Sequence, residues 1–404
     1  MSEATQTNVT AVTAAAQLGG TERVLLDFAN LAFEHDIALR VLTPCDGPLV
    51  EILNKIGVEA QVVQAPRKLL RGSQQPGSLG SIPGALWGLR AWSRKLVRHP
   101  FIRDADVVYS VSFKPNVALG IRRVHPMLWH IHEFPPATTG RIWRMLAKRL
   151  PDAVVVNSAV VGEAWTQSED GAFGDRVTVL RNGVNLDRFR PRQPGGWIHR
   201  ELRLPPEARL VGMPAVFARW KGQFEVIDAF DLIRDEFPDT HLVLIGGSIY
   251  DTVAEERYGW ELKSRVERDH SAKRVHLLPF QREIELTYPE FCLAVHYSLR
   301  PEPFGRVITE AMACGVPVIA ADEGGPVDIL GEGIGARREA GWLAKPRQPE
   351  ELARILRSAL RLPHEVLASV GDAGRHRAED VFSARKFAKD LSNVLKGVAK
   401  GWVS

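Results

Sequence analysis

Two glutamates eight residues apart, Glu302 and Glu310, stand in a segment whose pattern predicts a strand, a tight loop and a helix. The apolar run from Phe291 to Tyr297 predicts a buried strand, and Pro301 to Gly305 interrupts it. Val307 to Ala313 has a helix-forming composition. Glu302 therefore precedes a helix N-terminus, and Glu310 lies about two turns inside the helix.

The loop between this strand and this helix is suited to bind a phosphorylated sugar. Unpaired backbone N–H groups and the dipole of a helix N-terminus favour an anionic group such as a diphosphate. Carboxylates repel phosphate, but they accept hydrogen bonds from the hydroxyl groups of a sugar or ribose attached to it. The segment therefore predicts a nucleotide-sugar site. The alternative is an ordinary strand–helix–strand crossover with two solvated glutamates.

The same segment resembles the Glu-x7-Glu motif of retaining glycosyltransferases with the GT-B fold, in the large glycosyltransferase family 4. Glu-Pro-Phe-Gly, Glu-Ala-Met-Ala-x-Gly and Pro-Val occur in the order typical of that family. In the family the first Glu sits beside the transferred sugar and the second binds the donor ribose. The resemblance implies these roles for Glu302 and Glu310, and donor contacts from Pro303, Phe304 and Gly305.

A cationic pair is expected after the first strand of the second half, Leu210 to Met213. The family carries an Arg and a Lys-Gly here that neutralise the leaving diphosphate, and Lys221-Gly222 matches the second part. The usual place of the Arg falls on Val216, so Arg219 is the candidate that supplies the charge from a shifted position. Cations matter here because negative charge builds on the departing nucleotide.

Further donor contacts are expected in the second half of the chain. Gly246 lies in the turn Leu244 to Ser248, which resembles a donor-side glycine turn of the family. Phe280 follows the predicted strand Val275 to Leu278 and is also assigned to the donor. Gly324-Gly325-Pro326 follows the strand after the helix that carries Glu310, as in the family.

In the first half, Gly19 and Gly20 follow the predicted strand Val9 to Ala14 and precede a predicted helix from Thr21. Glycines allow a close approach of the backbone to a ligand, and the helix N-terminus favours an anion. The segment resembles the Gly-Gly-Ala-Glu-Arg segment of the family, whose glycines line the donor or acceptor cleft. The alternative is a turn without a ligand. A nicotinamide dinucleotide site is disfavoured because no Gly-x-Gly-x-x-Gly follows this strand.

His132 is the candidate catalytic residue of the first half. It lies with His130 at the end of a predicted strand, directly before Glu133. The family often has a His here near the transferred sugar. A packed, hydrogen-bonded histidine is the alternative reading.

A catalytic metal is not expected. His130 and His132 point the same way along a strand, so a metal pair is conceivable. Asp104 and Asp106 match the Asp-x-Asp motif of another glycosyltransferase architecture, but they stand before a strand rather than after one. We therefore expect neither a metal nor a cofactor besides the sugar nucleotide.

The length of 404 residues and the alternation of strands and helices predict an α/β protein of two domains. The fold class expected is GT-B, with two doubly wound, Rossmann-like parallel sheets facing a central cleft. Residues 1–190 are expected to form the acceptor-binding domain and residues 191–384 the donor-binding domain. The segment that follows Arg181-Asn182-Gly183-Val184 and runs to Pro206 is rich in Pro, Gly and Arg, which predicts a linker. In the family the last helix commonly crosses back, so residues 385–404 are expected to pack on the N-terminal domain.

The composition is that of a globular protein, with 45% hydrophobic and 25% charged residues. No run of about 18 apolar residues is present, and Met1 to Asn8 lacks the regions of a signal peptide. A cytoplasmic protein is therefore expected. The three cysteines, Cys45, Cys292 and Cys314, are too scattered for a disulfide framework or a zinc site and are predicted to be reduced packing residues.

One region is strongly basic. Residues 60–150 contain 15 Lys or Arg against three acids, whereas the whole chain has a net charge of +4. Within it, residues 83–98 predict an amphipathic basic helix with Trp87 and Trp92 at the boundary between its polar and apolar faces. Such a helix is suited to a peripheral contact with an anionic membrane. A crossover helix with its apolar face in the core is the alternative.

The function predicted is that of a retaining, metal-independent glycosyltransferase. It would move a hexose-type sugar from a UDP or GDP sugar to a hydroxyl acceptor, which could be lipid-linked, in polysaccharide, glycolipid or glycoside biosynthesis. The alternatives are a nucleotide-sugar epimerase or hydrolase on the same fold, and a basic nucleic-acid-binding protein. No nucleic acid is expected, because no RNA-binding motif is present. The sugar, the base and the acceptor are not specified by these motifs.

Overall fold

The computed structural model describes residues 6–66, 69, 82–137, 139–166, 177–247, 253–268, 273–331 and 339–401. The chain divides into two compact units. The first unit comprises residues 1–183 and 384–404, and the second comprises residues 184–383.

The first unit is built on a seven-stranded parallel sheet in the order β3-β2-β1-β4-β5-β6-β7. Its strands are β1 (Thr7–Val12), β2 (Ile37–Thr43), β3 (Ala60–Val62), β4 (Val107–Val111), β5 (Met127–Ile131), β6 (Ala153–Val156) and β7 (Val177–Val179). Its helices are α1 (Gly20–Ala29), α2 (Pro48–Lys55), α3 (Ile82–Arg98), α4 (Pro100–Arg103), α5 (Phe113–Gly120), α6 (Gly140–Arg149), α7 (Ala159–Thr166) and, from the end of the chain, α15 (Ala384–Ala399).

Helices cover both faces of this sheet, so its central strands are apolar without alternation. Every residue of β4 and of β5 is buried, as expected for a parallel sheet that is packed on both sides. One apolar cluster contains side chains of α1, α2 and α15, and the other contains side chains of α3, α5, α6 and α7. Because the strands are parallel, their carboxyl ends lie at one edge of the sheet. The loops that bear polar residues project from this edge.

The last helix, α15, completes the first apolar cluster. Phe387, Leu391 and Leu395 are fully or almost fully buried there, against α1 and the sheet. The chain enters this helix beside Gly183, where a Cβ atom would lie 2.5 Å from Cα of Ala384. Glycine is required at this position because the two backbones touch.

The second unit contains a six-stranded parallel sheet in the order β10-β9-β8-β11-β12-β13. Its strands are β8 (Arg209–Pro214), β9 (Thr240–Gly246), β10 (Val275–Pro279), β11 (Leu293–His296), β12 (Val318–Ala321) and β13 (Gly341–Ala344). Its helices are α8 (Trp197–Leu202), α9 (Gln223–Asp231), α10 (Val253–Arg268), α11 (Arg306–Ala313), α12 (Gly325–Leu330), α13 (Pro349–Leu360) and α14 (His364–Val381). The prediction of two parallel-sheet α/β domains is thus confirmed.

The segment predicted as a linker is instead part of the second unit. Phe189 is buried in its core, and Ile198 is buried on α8. The backbone N–H of Val184 donates to the carbonyl of Phe382 at 2.7 Å, which ties the start of the segment to the end of the unit. The division therefore falls after residue 183, whereas the sequence led us to expect it after residue 190.

The prediction for the basic helix is wrong in one respect. Trp92 of α3 is only 1% exposed, and its indole N–H donates to the carbonyl of Val63 at 2.7 Å. Trp92 is therefore a core residue of the first unit and unable to reach a membrane. Trp87, one and a half turns earlier, is 71% exposed. Within the described residues no helix combines the length and the apolar character needed to cross a membrane.

We expect the first unit to depend on α15 for its stability. Leu391→Ala removes a fully buried side chain and should lower the free energy of unfolding by about 2–5 kcal/mol. Asn393→Ala, on the exposed side of the same helix, is the matched control and should change it by less than about 0.5 kcal/mol. Thermal unfolding of the purified variants measures both. Equal effects of the two substitutions would show that α15 does not contribute to this core.

Candidate active site

The second unit joins two of the predicted site residues in one ion pair. Nζ of Lys221 lies 2.8 Å from Oε1 and 2.7 Å from Oε2 of Glu302. Both side chains are largely withdrawn from solvent. A cation and a carboxylate that are 81 residues apart in the chain are therefore held together near the N-terminus of α11.

Two further side chains bind the same carboxylate. Nε2 of His296, the last residue of β11, is 2.9 Å from Oε2 of Glu302. The hydroxyl of Ser298 donates to that oxygen at 2.5 Å. Oε2 thus has three partners, which fix the orientation of the carboxylate.

These contacts decide the charge of Glu302. Burial by itself would raise the pKa of this carboxyl. The positive charge of Lys221, the neighbouring His296 and the hydrogen bonds from both outweigh burial and hold the pKa of Glu302 well below its usual range. Glu302 is therefore an ionised acceptor of hydrogen bonds at neutral pH.

The turn that carries Lys221 is fitted tightly against the end of β11. Gly222 has φ +76°, and a Cβ atom there would lie 2.2 Å from the carbonyl oxygen of Tyr297. The backbone N–H of Leu299 donates to the carbonyl of Trp220 at 2.7 Å. The Lys-Gly pair is explained by this approach, because any larger residue after Lys221 would push the turn away from β11.

The backbone of Glu302 is held by the glycine turn that follows β12. The N–H of Gly325 donates to the carbonyl of Glu302 at 2.7 Å. Gly324 has φ +78°, and a Cβ atom there would lie 2.5 Å from the same carbonyl oxygen. The Gly324-Gly325 segment therefore fixes the loop before α11 and has a structural role.

Glu310 lies in α11 and has its own partners. The hydroxyl of Tyr288 donates to Oε2 of Glu310 at 3.1 Å, and Nε of Arg306 lies 3.5 Å from Oε1. The helix begins after Gly305, which has φ +110°. Phe304 beside it is buried and packs edge-on against Phe382. Pro303 belongs to the same loop.

Arg219 is directed to a different partner. Its guanidinium donates to Oε2 of Glu261 on α10 at 2.7 Å and lies over the rings of Phe224 and Tyr258. The side chain is largely exposed. At Val216, where the family has its Arg, the backbone carbonyl accepts a hydrogen bond from Gln223 at 2.8 Å.

Gly246 and Phe280 lie at the ends of β9 and β10. A Cβ atom on Gly246 would lie 1.9 Å from the carbonyl oxygen of Ala215, so the packing of two strand ends already requires glycine here. Phe280 is about half exposed. A ring that remains open to solvent at a strand end is available for contact with a ligand. Ser248, at the end of the predicted turn, lies outside the described residues.

Gly19 and Gly20 lie in the first unit, at the start of α1. The helix N-terminus already has a hydrogen-bond acceptor of its own, because the backbone N–H groups of Glu22 and Gly19 bond to the buried carboxyl of Glu22. This arrangement is typical of a capping box. Sequence reasoning placed an external anion here, which stays a prediction, and assigned no role to Glu22.

His132 is buried at the end of β5, and its ring centre lies 3.9 Å from that of His130. Nδ1 of His130 is 2.6 Å from the hydroxyl of Tyr109. Burial, and then the neighbouring His132, lowers the pKa of His130 well below its usual range. His130 is therefore a neutral core residue. Across the described parts of both units, no group of three or more His, Cys, Asp or Glu side chains could hold a metal ion.

Glu133 is a second residue that sequence reasoning did not assign. Burial raises its pKa to about 7, although hydrogen bonds from the backbone of His132 and from Ser112 act in the opposite direction. Burial also raises the pKa of Glu22 to about 7, and the carboxyl of Glu133 adds to that rise. The signal available in the sequence was an acidic residue directly after His132, at the end of a predicted apolar strand.

The structure thus brings together Lys221, Glu302 and the start of α11, with Glu310 two turns further along that helix. Of the predicted residues of the second unit, Arg219 faces α10 instead. His132, Gly19 and Gly20 belong to the first unit. His296, Ser298, Glu22 and Glu133 are the additions made by the structure. The polar run His296-x-Ser298-x3-Glu302 after an apolar strand was the signal for the first two.

The fold and this site define the class of the protein as a GT-B glycosyltransferase. Among solved structures, Anabaena HepE in complex with UDP and glucose has a TM-score of 0.79 at 24% identity, covering 97% of this chain and 100% of that one. A glycosyltransferase from Rickettsia africae also has a TM-score of 0.79, at 19% identity, covering 98% of this chain and 99% of that one. These likenesses bear on the fold alone.

Residues 18–188 match the model of Glycosyltransferase Family 4, and residues 197–377 match that of Glycosyl transferases group 1. The D-inositol 3-phosphate glycosyltransferase of Segniliparus rotundus is 30% identical over 328 residues, which are 78% of this chain and 71% of that protein. The chain belongs to glycosyltransferase family 4.

Other relatives carry different specificities. The alpha-1,3/1,6-mannosyltransferase alg-2 of Neurospora crassa is 35% identical over 328 residues, which are 78% of this chain and 62% of that protein. Several curated relatives, this one included, are matched over less than two thirds of their own length.

The raised pKa values in the first unit predict how its stability depends on pH. Below about pH 4.5 Glu133 is protonated in both the folded and the unfolded chain. Between that pH and about 7 only the folded chain keeps the proton, so the free energy of unfolding falls as pH rises through this window. Glu133→Gln is permanently neutral. It should therefore raise the thermal stability at pH 8, by up to about 3 kcal/mol, and leave it nearly unchanged at pH 4.5.

Glu34→Gln on the exposed surface of the same unit is the control and should have little effect at either pH. Thermal unfolding at the two pH values measures the difference. A Glu133→Gln stabilisation that is the same at pH 4.5 and pH 8 would contradict the assignment.

Proposed function

We propose that the protein transfers a sugar from a nucleoside diphosphate sugar to a hydroxyl group of an acceptor, with retention of the anomeric configuration and without a metal ion. The observation that carries the proposal is the Lys221–Glu302 pair beside the N-terminus of α11. A cation and the N-terminus of a helix suit a diphosphate, and an ionised carboxylate suits the hydroxyl groups of the sugar attached to it.

The donor is a UDP or GDP hexose. Membership of family 4 supports a sugar nucleotide, and HepE has been seen in complex with UDP-glucose. In this proposal Lys221 and the loop of Pro303, Phe304 and Gly305 bind the diphosphate, and Glu302 binds the hexose. Glu310 binds the ribose, with Tyr288 and Arg306 holding its carboxylate.

The remaining predicted contacts complete the donor site. Gly246 allows the base or ribose to lie against the backbone, and Phe280 offers an exposed ring. Arg219 can add a second cation only by giving up its ion pair with Glu261, which costs little because both side chains are partly exposed. In the first unit, Gly19 and Gly20 stay predicted donor contacts, and His132 stays a predicted catalytic residue.

The proposed reaction conserves atoms and charge. The bond between the anomeric carbon and the diphosphate oxygen breaks, and its electron pair leaves with the nucleoside diphosphate. The acceptor oxygen forms the new bond on the same face, and its proton passes to the departing diphosphate. Lys221 stabilises the negative charge that grows on the leaving group.

Three substitutions should impair the enzyme's kinetics in different ways if this assignment holds. Glu310→Ala removes a contact present in both the ground and the transition state, so it should chiefly raise KM for the donor. Lys221→Ala should lower kcat by about 10²-fold or more. Glu302→Gln should lower kcat while the nucleoside diphosphate alone binds almost as before. Steady-state kinetics in excess chelator measures all three, and wild-type activity should persist in the chelator.

Glu267→Gln on the exposed face of α10 is the control and should behave as wild type. Unchanged kinetics in all three site variants, with intact folds, would contradict the donor site. Loss of wild-type activity in chelator that returns with Mn²⁺ or Mg²⁺ would contradict metal independence. Formation of a free sugar or an epimerised sugar nucleotide in place of a glycosylated acceptor would favour the alternative of a hydrolase or epimerase.

We also propose a peripheral contact with an anionic membrane through the basic region of residues 60–150. Support comes from α6, on which Ile142 and Met145 are 55% and 44% exposed between exposed basic residues such as Arg141 and Arg149. No acidic residue occurs between residues 134 and 151. Exposed apolar side chains among cations are typical of an interfacial helix.

The C-terminal end of α5 enlarges this surface. A Cβ atom on Gly120 would lie 2.6 Å from the side chain of Leu150, so the ends of α5 and α6 are adjacent. Ile121, Arg122 and Arg123 follow directly and are exposed. The surface therefore combines three exposed apolar side chains, those of Ile121, Ile142 and Met145, with positive charge. A lipid-linked acceptor would be within reach of an enzyme held in this way.

Vesicle binding tests this contact. Binding to anionic vesicles should weaken as salt rises, because the attraction is screened. Replacing Ile142 and Met145 together by Ser should reduce it at least tenfold, whereas Leu232→Ser, at an exposed position of the second unit, should not. Replacing Arg90, Arg94, Lys95 and Arg98 of α3 by Ser should also weaken it, by up to about 1 kcal/mol per residue. Equal binding to neutral vesicles, or none to either kind, would contradict the proposal.

A further inference from the structure

His296 is the least expected component of the donor site. It is buried at the end of β11, with only 4% of its surface exposed, and its Nε2 lies 2.9 Å from Oε2 of Glu302. Its other ring nitrogen, Nδ1, is also buried and has no hydrogen-bond partner among the described residues. A titratable ring thus contacts the carboxylate on one side and lacks a protein acceptor on the other.

Charge balance defines the state of this ring without a ligand. Lys221 and Glu302 neutralise each other at 2.7 Å. A second proton on His296 would add a charge to a neutral pair and would place an N–H at Nδ1 without an acceptor, at a cost of about 1–3 kcal/mol. A ring with a single proton, on Nε2 and donating to Glu302, avoids both costs.

Binding of a sugar nucleotide changes this balance. The diphosphate is an anion that competes with Glu302 for the ammonium group of Lys221. When Lys221 turns to the diphosphate, Glu302 keeps its charge but loses its cation. The attraction between a carboxylate and an imidazolium about 4 Å apart is about 4 kcal/mol at the effective dielectric constant of such sites. This exceeds the cost of the unpaired N–H, so a proton on His296 becomes favourable.

We propose that His296 is a positioning residue that takes up a proton from solvent when the donor binds, and thereby keeps Glu302 ionised and in place after Lys221 has moved to the diphosphate. The inference rests on the proposed donor site. It adds to that site a proton that is bound together with the substrate.

The charged groups around His296 come from four elements. Lys221 belongs to the turn before α9, and Glu302 to the loop before α11. On α11 itself, Arg306 and Glu310 lie 3.5 Å apart and compensate each other. After β12, Glu323 is paired with Arg347 at 3.2 Å, and Asp322 bonds through its backbone N–H to β13. The neighbouring strand β8 ends in uncharged residues. Among the described residues, the carboxylate of Glu302 is thus the charged group in direct contact with the ring, and Lys221 is paired with that carboxylate.

Calorimetry of donor binding measures the proton directly. UDP-glucose and GDP-mannose are suitable probes because their diphosphates are fully ionised at pH 7.5 and release no proton of their own. Binding heats in buffers of different ionisation enthalpy give the number of protons taken up. We expect an uptake approaching one proton for the nucleotide that binds, and an affinity that falls by up to tenfold per pH unit as pH rises.

Substitutions of His296 distinguish the proposed proton uptake from the hydrogen bond that the ring makes to Glu302. His296→Gln keeps a donor to Glu302 but is unable to titrate, so the uptake should fall to near zero and the affinity should lose its pH dependence. His296→Asn is a second variant with the same expectation should the first not fold. Ser298→Ala removes the other neutral donor and should keep the uptake. His241→Gln, at a buried histidine at the start of β9, is the matched control and should also keep it.

The outcomes distinguish this inference from the donor site itself. Absence of binding by both sugar nucleotides counts against the donor site, and the inference falls with it. Binding by the wild type without proton uptake overturns the inference and leaves the donor site standing. Uptake that persists in His296→Gln and His296→Asn also overturns it, because the proton would then go to another group.

Discussion

The ion pair between Lys221 and Glu302 is the interaction on which the arrangement of the second unit around its candidate site depends. Withdrawing a carboxylate from water costs several kcal/mol, and this cost is met only when a cation and hydrogen-bond donors are supplied in good geometry. The turn after β8, the end of β11 and the glycine turn after β12 each supply one part of that environment. Several loops therefore have a single correct position.

The glycines of the site follow from the same constraint. Gly222 and Gly324 both have positive φ and both touch a backbone carbonyl of a neighbouring loop. They allow the loops to approach until the lysine and the carboxylate meet. The backbone contacts thus explain why glycine stands at both positions, and a ligand is not needed to explain it. The first unit differs, because its buried carboxyls Glu22 and Glu133 have no comparable cation among the described residues, and burial raises their pKa values.

Much of this architecture could be predicted from the sequence. The segment Phe291 to Ala321 has its strand, loop, helix and strand where the pattern indicated, because strong apolar runs and glycines mark each boundary. The helix α14 was missed. Gly371 and Gly374 lower its helical propensity, yet Gly371 is needed because a Cβ atom there would lie 2.0 Å from the carbonyl oxygen of Gly315. The short edge strands β7 and β13 carry too few residues for a periodic signal. The direction of Arg219 and the burial of Trp92 depend on distant partners, Glu261 and Val63, which no local pattern contains.

The position of α15 has a consequence for synthesis of the chain. The sheet of the first unit is encoded before residue 184, but the helix that covers one of its faces is made only after the second unit. At about 5–20 residues per second the sheet waits on the order of 10–40 s with that apolar face uncovered, while the second unit is made. Folding of the first unit is therefore completed only after the second unit has been synthesised. A chain truncated before Ala384 would expose the surface that Leu391 and Leu395 cover.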